Sequence, residues 1–397
     1  MTFSLTRRAF ASLAGLAPFV AVAGAAEDWA AIEAQAKGQT VYFNAWAGSP
    51  QINAYIAWAG EVVKQRHGII LEHVKLQDTG EAVRRVRDEV AADKPGSVDL
   101  IWINGENFRV MKQEKLLFGP FAESLPNFAL VDVTGKPTTL IDFAEPVEGL
   151  EAPWGMAQLT FFGDGAKLAT PPMSMMDLLD LAKKEPGRIA YPAPPDFHGT
   201  TFVKQVLVET IRDREWLSKP IDTAGFTDAA KPMFDYLDAL HPHLWREGKQ
   251  FPPTQAQLKQ MLADGELLMA LTFNPNEPAN LVASGELPAS TIAWQNSGGT
   301  IGNTHFVAIP VNAQAKPAAQ AVANFLMSPE AQARKADLKI WGDPTVLDVK
   351  KLPAGEQALF KAGEIPGGVR YPGPAILEPH GSWVPLIEAA WLERYGA

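Results

Sequence analysis

The chain has 397 residues, 47% of them hydrophobic and 20% charged, which is room for two or three ordinary domains. This near-average composition excludes a disordered chain and a membrane bundle. A formal net charge of −10 without basic runs excludes nucleic acid as an expected partner, because phosphate contacts need clustered Lys and Arg.

Residues 1–25 read as a signal peptide. Arg7 and Arg8 precede a modest apolar run, Ala9 to Ala23, and Ala23-Gly24-Ala25 supplies small residues at the cleavage spacing. Adjacent arginines followed by Ala9-Phe10 resemble a twin-arginine (Tat) signal, with an ordinary Sec signal as the alternative; both lead to the periplasm. The chain has no cysteine, so disulfides and a lipid anchor at the cleavage site are not expected.

Beyond that segment, strands and helices alternate. A strand is predicted over Gln39–Asn44, then a helix with Ser49 as N-cap, Pro50 in its first turn and Gly68 as its stop. Ile69–Leu76 reads as a second strand. Thr79 is expected to cap a second helix with the stripe Val83, Val86 and Val90, broken at Lys94-Pro95-Gly96. Val98–Ile103 is a third strand, apolar enough to be buried on both faces. This order requires a parallel sheet with right-handed crossovers. Glu145 to Pro153 reads as a linker into a second unit. There, Met175–Lys184 and Thr201–Arg212 are predicted helices, Arg188–Tyr191 and Phe306–Ile309 strands, and Pro317–Ala336 one long helix.

Open α/β sheets bind ligands at the carboxyl ends of their strands. Asn44-Ala45-Trp46-Ala47-Gly48-Ser49 follows the first strand, and Asn104-Gly105-Glu106-Asn107 follows Trp102 in the third. Both loops offer amides, small residues and an aromatic, which suits either a hydrogen-bonding site or plain turn chemistry. Trp154 and Trp294 also flank Gly- or Asn-containing segments, where a ring could stack on a ligand or simply fill a core. His241-Pro242-His243 is the nearest thing to a metal pair, yet proline interrupts it and no helix holds it; no metal or other cofactor is expected. No G-x-S-x-G, H-E-x-x-H or P-loop occurs, so no catalytic residue is assigned.

The stretch Ala321–Gln332 (AVANFLMSPEAQ) resembles the late helix of bacterial extracellular solute-binding proteins of ABC importers. More narrowly, GQTVYFNAW (Gly38–Trp46), SVDLIWINGENF (Ser97–Phe108), PWGMAQLTF (Pro153–Phe161), YPAPPDFHGTTF (Tyr191–Phe202), LWREGKQFPP (Leu244–Pro253), LTFNP (Leu271–Pro275), IGNTHFVAIP (Ile301–Pro310) and WGDPTVL (Trp341–Leu347) resemble the YnjB-type branch of that family. The resemblance implies an α/β, type II periplasmic-binding-protein fold: two α/β lobes, a hinge and a central ligand cleft. It places lobe one at residues 29–148 plus 303–336 and lobe two at 149–302 plus 340–397, with crossing strands near Pro153–Phe161 and Trp294–Phe306.

The expected protein is a monomeric periplasmic binder that delivers a small solute to an inner-membrane ABC permease. A periplasmic hydrolase on the same fold, or a sensor or scaffold subunit, are the alternatives. The expected ligand-binding residues are Asn44, Trp46, Ser49, Trp102, Asn104, Glu106, Trp154, Gln158, Thr200, Asn274, Trp294 and Asn303. Thr200 and Thr201 sit where helix N–H groups could face the cleft, unless they serve only in capping. Glu106 beside tryptophans suits a cationic or aromatic solute.

Overall fold

A computed structural model of the chain describes residues 29–168, 170–360 and 366–396; the signal segment expected over 1–25 lies outside them. In chain order the elements are β1 (Thr40–Trp46), α1 (Pro50–His67), β2 (Ile70–Leu76), α2 (Gly80–Ala91), β3 (Leu100–Ile103), α3 (Gly105–Gln113), the hairpin β4 (Ile141–Asp142) and β5 (Glu145–Pro146), β6 (Glu151–Gln158) and β7 (Thr160–Asp164). Then come α4 (Met175–Lys184), α5 (Phe197–Thr210), α6 (Thr223–Ala229), α7 (Lys231–Leu240), α8 (Gln255–Ala263), β8 (Met269–Thr272), α9 (Glu277–Ala283), β9 (Thr291–Trp294) and β10 (Thr300–Ala308). After α10 (Lys316–Leu326) and α11 (Pro329–Ala336), β11 (Val369–Tyr371), β12 (Ala375–Ile376) and α12 (Trp383–Tyr395) complete the frame, with short helical turns between.

Two sheets organise these elements into two lobes. The first sheet runs β12-β10-β3-β1-β2, with β6 also paired to β10. Within it β2, β1 and β3 are parallel, as the alternating pattern requires, whereas β10 runs antiparallel to β3 and to β6. β3 is buried on both faces, Leu100 turning into one core and Ile101 and Ile103 into another. The second sheet, β11-β9-β7-β8, belongs to the other lobe. Its core carries Phe161, Phe162, Tyr191, Phe202, Trp294 and Trp391. The chain crosses between sheets at Gln158–Thr160 and again between Trp294 and Thr300. Among the described residues, no helix is long and apolar enough to cross a membrane.

Local chemistry explains most boundaries. Ser49 accepts from the Ile52 amide and Gly68 ends α1 in the left-handed region, φ 67°. Thr79 does not cap α2: its hydroxyl donates to the Trp102 carbonyl, and Asp78 accepts from the Gly80 amide instead. Arg188–Tyr191 forms no strand, because Pro192, Pro194 and Pro195 remove the donors a ladder needs. The long helix expected over Pro317–Ala336 is two helices. Ser328, extended at ψ 152°, caps a fresh start with Pro329 in its first turn. The expected linker from Glu145 is instead the second strand of a hairpin and the start of β6.

The tail divides between lobes, where the sequence reading gave all of residues 340–397 to the second. Trp341, Val346, Leu347 and Leu352 fill the first core beside Tyr55 and Trp154, and only the part carrying β11 and α12 joins the second. The Trp341 ring packs edge-on to Tyr55 of α1 at 5.4 Å and to Trp154 at 5.5 Å, and burial of that ring decides the place of this part of the tail. A buried ion pair pins this first part. Lys335 is wholly enclosed, its ammonium 2.6 Å from the Asp343 carboxylate and over the Trp154 and Trp341 rings at 3.9 and 4.2 Å. Burial pulls Lys335 down to about 8, with Asp343 opposing the fall. Gly155 is obligatory beneath it, since a Cβ there would lie 2.0 Å from both charged atoms.

Lys335→Met should therefore leave Asp343 buried with only His305, 3.1 Å away, as a partner. Urea unfolding at pH 7 should register a loss of about 3–5 kcal/mol, the cost of orphaning one half of a buried pair. A loss below about 1 kcal/mol would mean that water replaces the lysine.

Candidate ligand site between the lobes

Where the lobes meet, the first contributes the start of α3 and the β4–β5 hairpin, and the second contributes α5, α12 and the segment between β12 and α12. The hairpin turns through Phe143 and Ala144, both left-handed at φ 42° and 64°. A large side chain there is strained and stays only where surroundings fix it. Phe143 is fixed by Gly105: its ring lies where a Cβ on Gly105 would sit, 2.8–3.1 Å from that position. Gly105 is itself left-handed at φ 62° and donates its N–H to Asp142 at 2.6 Å. Strand β3, the α3 start and the hairpin are thus one unit.

Lys204, from the middle of α5, reaches into this contact. It is 1% exposed, and its ammonium donates to Glu378 Oε2 at 2.6 Å. Phe143 of the first lobe lies 4.5 Å from the same nitrogen, and Phe197 of the second lies 5.6 Å from it. Asn303, on β10, donates to the other oxygen of Glu378 at 3.1 Å. Thr200, one turn before Lys204, donates to Glu388 on α12 at 2.8 Å. The segment after Glu378 ties the lobes together: Gly381 donates to the Phe143 carbonyl, His380 donates its amide to the Leu217 carbonyl, and the His380 ring meets Glu145 at 3.0 Å.

The electrostatics are lopsided. Glu106, Asp142, Glu378 and Glu388 all feel the charge of Lys204, the single cation common to them. Burial pushes Glu106 up to about 7, with Glu388 and Glu378 adding to the rise and Lys204 opposing it. Burial likewise raises Glu378 and Glu388, and holds Asp142 well above the carboxylate range. Three polar atoms there, the acceptors Asp142 Oδ1 and Asn303 Oδ1 and the donor Arg109 Nε beside Gly381, are buried without a hydrogen-bond partner among the described residues. The arrangement can hold positive charge and has acceptors to spare.

Residues 57–358 match the family model described as bacterial extracellular solute-binding protein. The chain belongs to this family. It is 46% identical to Protein YnjB of Escherichia coli (strain K12), over 97% of this chain and 98% of that one. Its fold is that of periplasmic binding proteins with solved structures. One is AfuA from Actinobacillus pleuropneumoniae with exogenous fructose-6-phosphate bound: TM-score 0.61, 15% identity, covering 90% of this chain and 99% of that one. Another is the spermidine/putrescine-binding protein PotD of Streptococcus pneumoniae: TM-score 0.62, 13% identity, covering 90% and 98%. A third is the Atu4243 GABA receptor: TM-score 0.59, 16% identity, covering 88% and 96%.

Within this binding-protein frame the expected ligand residues separate. Glu106, Thr200 and Asn303 come together around Lys204, and Asn104 stands at the N-cap of α3 with its side chain making no cap bond. Trp154 and Trp294 are core residues, each 0% exposed, so neither ring has a free face. Asn44 is buried between the Tyr42 carbonyl and Arg85, and Ser49 serves as a helix cap. Gln158 is held by Thr300 and the Gly373 carbonyl, and Asn274 by the Trp341 carbonyl, so both join the chain to itself. Trp46 and Trp102 keep partial exposure but pack on the first core, Trp102 edge-on to Trp154 at 5.0 Å and to His305 at 5.1 Å. The cation over Trp154 is Lys335, and the rings beside the acids are phenylalanines. The start of α5 offers no anion site: Asp196 already accepts from the His198 and Gly199 amides. Sequence reasoning missed Lys204, Glu378, Glu388 and Phe143. The one available signal was a lysine in a mainly apolar helical run, Phe202-Val203-Lys204-Gln205-Val206.

The raised Glu106 has a stability signature. A carboxyl that holds its proton more tightly when folded makes the folded state lose stability as pH rises, here between the ordinary value of 4.5 and about 7. Glu106→Gln should remove a decline of about 3 kcal/mol across that window in denaturant titrations. Equal slopes in the variant and the parent would place the proton elsewhere.

Proposed function

We propose that the protein is the periplasmic receptor of an ABC importer and captures a small organic cation between its lobes. It would deliver that solute unchanged to an inner-membrane permease. The observation that carries the cationic reading is that Glu106, Glu378 and Glu388 outnumber Lys204, the one cation whose charge all three feel. Buried carboxylates without counter-charge are costly, and a bound cation relieves that cost. Phe143 and Phe197 add π faces on either side of the ammonium position. Two of the structural relatives are named for amine-bearing molecules, spermidine/putrescine and GABA, whereas a third holds a sugar phosphate. At those identities the relatives bear on the fold alone, so the ligand reading rests on the charges in this cleft.

Binding of 1,4-diaminobutane, choline, glucose and acetate can be compared by calorimetry at pH 6 and pH 8. A cation needs Glu106 ionised, and Glu106 titrates near 7, so amine affinity should rise roughly tenfold from pH 6 to pH 8. Glu388, Glu378, Asp142 and Lys204 face the same carboxyl, Asn107 donates to it, and Arg109 lies on the next turn of α3. Glu106→Gln should flatten the profile and weaken binding by about 1.5–3 kcal/mol. Heat from acetate or glucose alone would overturn the cationic reading and leave the binding role standing.

Export is proposed through the twin-arginine route, on the strength of Arg7, Arg8 and Phe10 before a weakly apolar run. Replacing both arginines with lysine should abolish periplasmic recovery. An unchanged periplasmic yield on cell fractionation would point to Sec.

A further inference from the structure

We infer that Lys204 is a built-in competitor: its ammonium fills the amine subsite of the cleft, and a cationic solute binds by displacing it. The inference rests on the cationic reading and names the residue that would set affinity within it.

The surroundings of the Lys204 nitrogen are those a ligand amine would want. A carboxylate oxygen of Glu378 lies 2.6 Å away, with the Phe143 ring at 4.5 Å and the Phe197 ring at 5.6 Å. These groups come from both lobes, as expected where a ligand is closed upon rather than where one domain neutralises itself. The fit of the lysine is incomplete. An ammonium has three donors, and among the described residues this one makes a single hydrogen bond, to Glu378. Beside it Asn303 Oδ1 is buried with no partner among the described residues, although the same side chain holds Glu378. A free amine, unconstrained by the α5 backbone, can use both the Glu378 carboxylate and the Asn303 oxygen. Lysine suits the role of a leaving cation. It is a compact charge on a flexible stem, without the bidentate grip by which arginine locks a carboxylate. The solute class follows as small alkylamines, with one ammonium taking the subsite and any second positive group meeting Glu106 or Glu388.

The test compares wild type with Lys204→Met and Lys204→Gln, titrated with n-butylamine and 1,4-diaminobutane at pH 8. Both variants should bind each amine at least roughly tenfold tighter than wild type, because no tethered charge competes. Adding Glu378→Gln to Lys204→Met should abolish the gain. Unchanged or weaker amine binding in both variants, with wild type still binding, would overturn the inference and leave the cationic reading intact. A gain that survives Glu378→Gln would overturn it as well. A wild type that ignores both amines and responds only to phosphate or acetate would remove the cationic reading itself. Should the variants unfold, refolding with excess n-butylamine decides: recovery of the native fold supports displacement, and no recovery overturns it.

Discussion

The contact between the lobes depends on one requirement: a charge taken out of water must meet an opposite charge. Lys204 and Lys335 are both essentially unexposed, at 1% and 0%. Each is matched by an acid of the C-terminal tail, Lys204 by the distant Glu378 and Lys335 by the nearby Asp343. Because an unpaired buried charge costs several kcal/mol, these partners fix where the tail can run. Asp343 binds its first part to the core around Trp154. Glu378 then brings the chain back across the cleft, so that Gly381 reaches the Phe143 carbonyl and α12 lies beside α5. Two ion pairs thus route a segment with little regular structure.

That dependence explains which features were legible. The β1-α1-β2-α2-β3 run was readable because its signals are local. Strand periodicity, the Ser49 cap and the Gly68 stop lie within a few residues of what they control. The split between α10 and α11 was equally local, written in Ser328-Pro329, but alanine-rich periodicity on both sides masked it. The division of the tail was not local. Nothing near Trp341 reveals that Tyr55 and Trp154 receive its ring, since both lie far upstream and are brought to it only when the first core forms.

The site shows the same limit more sharply. Of the strand-end loop residues, Glu106 stands at the contact between the lobes near Lys204, whereas the tryptophans beside them turn into cores. A tryptophan after a strand satisfies burial and stacking equally well in sequence, and here burial prevails for Trp154 and Trp294. Lys204 was invisible for the opposite reason. A lysine on a helix is ordinarily a solvated residue, and only a partner 174 positions away makes it an interior one. Phe143 gives no sequence signal at all, because its left-handed backbone is imposed by Gly105 and the hairpin rather than chosen by phenylalanine.

Strain and charge at the cleft act on the same two pieces of chain. Phe143 is held in an unfavourable backbone region by contact with Gly105, and its ring in turn covers the Lys204 ammonium. Carboxyls around that ammonium exceed it in number, so near neutral pH some of them stay protonated rather than remain as unpaired charges. A closed cleft of this kind is balanced by protons and by its own lysine. In the reading proposed above, a solute with a second positive group would share in that balance, one charge at the Lys204 position and the other beside Glu106. The groups that surround the Lys204 ammonium belong to both lobes, so the balance of charge and the contact between the lobes are one feature of the fold.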